Sequence, residues 1–263
     1  MSRGYQRDFS VAYESMNAVE DRQRKAATVL AVLREALGDR VAEAKVLNLG
    51  CSTGIIDEYL AGHVASMTGV DIDEPAIALA RSRRRASNVE FQLDDAMRLS
   101  FADASFDVVI CSQVYEHVPD PERMMGEIHR VLRADGVCYF AATNRWALVE
   151  KHYKLPFLSW LPSTLADRYI QLLGRGDTYY ERHLGYWSLL SLVSRFRVED
   201  YTGKLLAAPN RYAAAYMFRG RLKCFVAKAI FKCCRPVFPG YIWLLRKHEP
   251  REVGNRCYEQ AES

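Results

Sequence analysis

Between Lys45 and Asn144, five short apolar runs alternate with segments of helical pattern, and this alternation constrains the fold most. The runs are Lys45 to Leu49, Val64 to Val70, Val89 to Leu93, Phe106 to Cys111 and Val137 to Ala142. Their β-branched, largely apolar character predicts strands buried on both faces of a parallel sheet. Pro75 fits the first turn of a helix running to about Arg85. A second helix is predicted after Asp120-Pro121, with Met124, Ile128, Val131 and Leu132 on one face and Gly136 as its stop. Strand–helix alternation demands crossover connections, and these predict a doubly wound α/β sheet. Residues 11–37 read as a leading helix whose Val29, Leu30, Val32, Leu33 and Leu37 face the core. Tyr5 or Tyr13 is placed near the mouth of any ligand site.

Open α/β sheets bind ligands beyond the carboxyl ends of their strands. The first strand runs into Gly50-Cys51-Ser52-Thr53-Gly54, a loop of small residues that lets a ligand approach the backbone. A plain strand–helix turn would look similar. The second strand ends at Asp71, 21 positions after Gly50. A carboxylate there can accept from two ribose hydroxyls; Asp73 is better placed to cap the next helix. After the third strand, Asp95 can accept from an adenine amino group and Ala96 can offer its N–H to a ring nitrogen. Together, in this order and spacing, the three features predict a nucleoside-bearing ligand.

At this point the chain resembles the class I S-adenosylmethionine-dependent methyltransferases, and in part the ubiquinone-biosynthesis O-methyltransferases. The matching residues are Val46 to Gly54, Gly69 to Asp73, Asp95 to Phe101, Ser105 to Val109, Glu116 to Pro121 and Arg130 to Gly136. The resemblance implies a Rossmann-like, seven-stranded sheet with an antiparallel last strand, and S-adenosylmethionine as cofactor. It implies that Gly50, Cys51 and Gly54 flank the cofactor's amino-acid part, Asp71 and Ile72 the ribose, Asp95 and Ala96 the adenine, and Ser112 and Gln113 the methionine side. Asn48 and Ser52 stand where the family often has Asp and Gly. A nicotinamide enzyme would prefer G-x-G-x-x-G, whose second glycine position is Ser52 here.

Methyl transfer from a sulfonium is an in-line displacement, so the protein's work is positioning and desolvation. A base is needed only where the acceptor loses a proton. His117 is the candidate, following the fourth strand; Glu116 and His117 bracing the next helix is the plainer reading. The ubiquinone relatives carry E-x-x-E-H here and use a divalent metal, whereas this chain reads Gln113-Val114-Tyr115-Glu116-His117. An amide replaces the first acid, and hard cations prefer carboxylate oxygens, so no metal is expected.

Residues 146–190 are rich in aromatics, among them Trp146, Tyr153, Phe157, Trp160 and Tyr179. Family architecture places a helical substrate cap here, suited to a ringed or apolar acceptor, with His152, Tyr153, Arg182 and His183 as its polar candidates. A sixth strand is expected over Phe196 to Tyr201 and the last over Tyr241 to Lys247. Between them Leu222, Phe225, Val226, Ala229, Ile230 and Cys233 share one helical face, flanked by Arg221, Lys223, Lys228 and Lys232. Such a basic amphipathic helix, within 219–235, can lie on an anionic membrane or pack on the core.

Charge follows the same division. The formal net charge of +4 splits into −4 for residues 1–202 and +8 for residues 203–263. The acidic body, and a basic helix without stacking aromatics beyond Phe225 and Phe231, argue against nucleic acid. No stretch of about 20 apolar residues is present to span a bilayer, and the polar Met1 to Ser10 lacks a secretory signal. Seven cysteines, none in a C-x-x-C pair, suit a reduced cytoplasmic protein. The organisation expected is one methyltransferase domain over 1–263. It comprises a helical segment (1–40), a cofactor core (41–145), the cap (146–190), the last strands (191–250) with a basic insert at 205–238, and a tail (251–263). The expected activity is methylation, at oxygen, of a small-molecule or lipid-linked acceptor such as a quinone precursor or saccharide, at the inner membrane face. A non-catalytic cofactor-binding or membrane-docking protein is the alternative.

Overall fold

The computed structural model describes residues 18–218 and 220–248. Helix α1 (Val19–Leu37) leads into β1 (Lys45–Leu49), α2 (Ile55–Ala61), β2 (Ser66–Asp71), α3 (Glu74–Arg83) and β3 (Val89–Leu93). Then come β4 (Phe106–Ser112), α4 (Pro121–Val131) and β5 (Leu132–Thr143). Helices α5 (Ser163–Leu172) and α6 (Tyr186–Leu192) precede β6 (Phe196–Asp200), followed by α7 (Thr202–Ala207), α8 (Arg221–Cys233) and β7 (Gly240–Lys247). The seven strands form one sheet in the order β3-β2-β1-β4-β5-β7-β6. β7 runs antiparallel to both neighbours, and the other pairs are parallel.

The two-residue period of a strand divides each central strand between two cores. Val46, Val108, Ile110, Val137 and Tyr139 face one side, where α1 packs Val29, Val32 and Leu33. Leu47, Leu49, Val109, Cys111, Cys138 and Phe140 face the other, against Met124 and Ile128 of α4. Apolar surface is removed from water on both faces, worth roughly 1.5–3 kcal/mol for each large side chain fully buried. That is why these strands read as nearly continuous apolar runs.

Some expected boundaries move. Helix α4 ends at Val131, not at Gly136, because the backbone turns extended at Leu132 and β5 starts there. Gly136 instead lies where the β4–β5 register shifts; a Cβ on it would sit 2.9 Å from the Asp107 carbonyl. Helix α3 stops at Arg83, and arginines at its end strap it to β3: Arg81, in the last turn, donates Nε to the Phe91 carbonyl at 2.9 Å, and Arg84, just beyond, donates to the Val89 carbonyl at 3.3 Å. Asp73 caps α3 by accepting from the Ala76 N–H. Tyr5, Tyr13, the 11–17 part of the leading helix, the side chains of Arg221 and Leu222, and the 251–263 tail lie outside the described residues.

Part of the stretch expected as an insert forms α8 (Arg221–Cys233), and its buried side is not the apolar face the spacing suggested. Phe231 packs on Phe238 and against Gly203 at the start of α7. The opposite side is open: Phe225 is 70% exposed, and Val226 and Ile230, 44% and 38% exposed, border the site cavity. Among the described residues no helix is long and apolar enough to cross a membrane.

Candidate active site

At the carboxyl edge of the sheet a cavity of about 1020 Å³ opens between α1, the strand ends, the cap and α8. This is enough for a nucleoside-bearing cofactor and an acceptor together. Gly50, Ser52, Asp71, Ile72, Ala96, Ser112, Gln113 and His117 line it. Three expected residues do not: Cys51, Gly54 and Asp95.

The reasons are local. Cys51 turns into the core, 4% exposed, and its thiol donates to the Ser52 carbonyl. Gly54 has φ +74°, and a Cβ there would stand 2.5 Å from the Phe91 ring, so its bare backbone serves loop packing. Asp95 spends its carboxylate on the Met97 N–H at 2.7 Å, while Asp94 reaches the cavity wall.

Asp71 ties the loop together. One oxygen accepts from the Ser52 N–H at 2.7 Å and the other from the Asp73 N–H at 3.0 Å. The Ile72 N–H also contributes, and the carboxylate retains acceptor capacity for a ligand hydroxyl. Burial raises its pKa, opposed by the backbone N–H groups of Asp73 and Ser52. Asp57 is wholly buried behind the loop, accepts from Asn48 Nδ2 at 2.9 Å, and is pushed by desolvation to about 7. Ser52 adopts φ +52°, and its buried hydroxyl has no hydrogen-bond partner among the described residues. A buried orphan hydroxyl on a cavity wall is a group awaiting a polar ligand atom. With Asp71 beside it and apolar Ile72 and Ala96 beyond, this edge fits a ribose and a heterocycle.

Gln113, at φ +59°, turns its side-chain oxygen toward the Thr143 hydroxyl. Tyr115, 1% exposed, donates to the Thr143 carbonyl and accepts from the Leu184 N–H at 3.1 Å, joining strand end to cap. The Arg182 N–H bonds the Glu116 carbonyl at 3.0 Å. His117 reaches the cavity with the His152 ring edge-on, centroids 5.1 Å apart. Behind them His183 and Glu150 are buried. Burial would raise the Glu150 carboxyl, yet hydrogen bonds with His152 and His183 hold it below its usual range.

Sequence reasoning missed Arg22 and Lys25 on α1, and Lys151, all of which line the cavity. Arg22 feels the charges of Asp57 and Asp71. The only sequence signal was two cations three positions apart on a helix face. His152 and His183 were in view as cap residues, but Glu150 and Glu181 were not.

Comparisons with known proteins bear on the family and the fold. Residues 47–140 match the family model described as a methyltransferase domain. A ubiquinone biosynthesis O-methyltransferase of Pseudomonas putida is 30% identical over 171 residues, covering 62% of this chain and 68% of that protein. An S-adenosylmethionine-dependent methyltransferase from Mesorhizobium loti superposes with a TM-score of 0.53 at 17% identity, over 82% of this chain and 96% of the other. One from Methanosarcina mazei does so at 0.53 and 22%, over 83% and 98%. At those identities the structures bear on the fold alone.

Proposed function

Since the chain belongs to the class I S-adenosylmethionine-dependent methyltransferases, we propose that it methylates an oxygen of a small, lipid-linked acceptor at an anionic membrane surface. The observation that carries this reading is the reach of one cavity. The loop and Asp71 line one part of it, and Lys223, Val226 and Ile230 of α8 line another. An acceptor could enter from the bilayer along the exposed apolar face of α8 and present its polar end near His117.

In this reading Asp71 accepts from the ribose hydroxyls, and the orphan Ser52 hydroxyl with the Gly50 backbone meets the amino-acid portion. Ala96 offers its N–H to the base, with Asp94 rather than Asp95 at the wall. Ser112 and Gln113 line the methionine side. S-adenosylmethionine supplies the electrophilic methyl carbon. His117 stands at the acceptor end to take the hydroxyl proton, and apolar walls keep water from the reacting pair. The oxygen acceptor draws support from the O-methyltransferase name of the Pseudomonas putida relative.

The membrane part draws support from charge. Helix α8 carries Lys223, Lys228 and Lys232 and no acid over Arg221–Cys233. The three lysines flank the exposed apolar face, as an anionic interface requires.

The test is to incubate the protein with methyl-labelled cofactor and a lipid extract, then identify labelled products by mass spectrometry. A labelled O-methyl ether in the organic phase is expected. Label confined to water-soluble products would overturn the lipid-linked acceptor, and label on carbon or nitrogen would overturn oxygen.

A further inference from the structure

The cap gathers three carboxylates and three histidines beside the cavity: Glu116, His117, Glu150, His152, Glu181 and His183. Glu150 is fully engaged, accepting from the backbone N–H groups of His152 and Tyr153, with His152 Nδ1 at 2.9 Å and His183 Nε2 at 3.4 Å. Glu116 and Glu181 differ. They are 0% and 2% exposed, and none of their four oxygens has a hydrogen-bond partner among the described residues. A buried carboxylate without donors is costly unless a cation or a proton compensates it.

We propose that His117, His152 and Glu181 form a binding site for a divalent transition metal of the zinc type. Their ligand atoms all lie within 4.8 Å of one another. Two imidazole nitrogens and one carboxylate oxygen are the donor set of zinc sites that keep a fourth position open. His117 and His152 both line the cavity, so the open position faces it. Glu150 holds His152 Nδ1, which also lies 3.8 Å from Glu181, so His152 would ligate through Nε2 with Glu150 as the carboxylate that fixes the imidazole. Nitrogen donors with one carboxylate favour zinc, cobalt or ferrous ions over magnesium and calcium.

This set is not the acid-rich E-x-x-E-H arrangement. Gln113 replaces its first acid and is turned toward Thr143. Two of the three ligands, His152 and Glu181, come from the cap, beyond the residues matched by the family model. Metal binding stands independently of the methyl-transfer reading; only its consequence rests on that reading. A Lewis acid held here would lower the pKa of an acceptor hydroxyl so that its proton could pass to water, and His117 would then hold the ion in place of the base role proposed above.

The experiment uses the full chain, stripped with a chelator and titrated with Zn²⁺ against a chromophoric competitor, and separately with Co²⁺ followed by visible absorption. One Zn²⁺ per chain is expected, with the intense Co²⁺ bands of four-coordinate geometry and no competition from Mg²⁺. Glu181→Gln and His152→Ala should each weaken Zn²⁺ binding by about 100-fold or more, and Glu150→Gln by about 10-fold. Absence of stoichiometric binding, or an affinity unmoved by both Glu181→Gln and His152→Ala, overturns the site. Titration of each variant with S-adenosylmethionine reports on its fold, and the near-isosteric Glu181→Gln decides the matter if His152→Ala fails it. Lack of cofactor binding by the parent protein would sink the methyl-transfer reading and leave the metal result intact.

Discussion

Asp71 is held by backbone N–H groups in the protein and, in the proposed complex, holds the ribose as well. Its oxygens hold the Ser52 and Asp73 N–H groups, and its remaining lone pairs are offered to the ribose. Asp71→Ala removes both, so cofactor affinity should fall by roughly 30- to 1000-fold, from about 2–4 kcal/mol of charge-assisted hydrogen bonding. Calorimetry reads this directly, and an unchanged Kd would remove Asp71 from the site. Asp57 makes a different prediction. Its folded pKa of about 7 lies above the ordinary carboxylate value, so the folded state binds its proton more tightly than the unfolded chain does. Its ionisation therefore destabilises the fold progressively as pH rises from about 4 to 7, with the full loss above 7. Asp57→Asn should raise the melting temperature relative to the parent at pH 8, and that gain should shrink toward pH 4. A difference constant across that range would refute the account.

At the scale of the element, α8 shows how one helix serves two environments. Its inner face carries Phe231, 9% exposed, and Phe231→Ala should cost about 3–5 kcal/mol. Its outer face carries Phe225, whose replacement by Ser should leave stability within about 0.5 kcal/mol because nothing packs on it. Binding to anionic vesicles should respond in the opposite way. Phe225→Ser lowers it, and Lys223, Lys228 and Lys232 changed together to Glu lower it by at least about 100-fold, at about 1 kcal/mol for each lysine lost. Co-sedimentation unaffected by the triple change would exclude α8 as a membrane contact. This helix was legible as amphipathic because its apolar residues repeat at helical spacing. Which face would be buried was not, because that depends on α7 and Phe238, contributed from other parts of the chain.

At the scale of the whole molecule, the cap is joined to the sheet through Tyr115. Its hydroxyl links the Thr143 carbonyl to the Leu184 N–H. Tyr115→Phe leaves two buried groups without that partner and should destabilise by about 1–3 kcal/mol. It should also raise the KM for the acceptor far more than the Kd of the cofactor, because the cap moves and the loop does not; equal effects on both would contradict this division.

The strand–helix alternation and the loop and Asp71 at the strand ends were legible in local sequence. The seven-stranded sheet with its antiparallel last strand was an expectation of the family resemblance, and the strand order came from the structure. Strand periodicity, turn residues and spacing act over a few positions, and a doubly wound topology places every strand end on one edge. The +4 total likewise hid a −4 body and a +8 end that residue counting alone exposes. Three more things waited for the tertiary structure: which of Cys51, Gly54 and Asp95 face the cavity, which side of α8 meets water, and the meeting of His117 with His152 and Glu181. Each is a contact between segments with no periodic relation, Glu181 lying 64 positions from His117. Such contacts are set by how the cap packs on the sheet, which no pattern within either segment encodes.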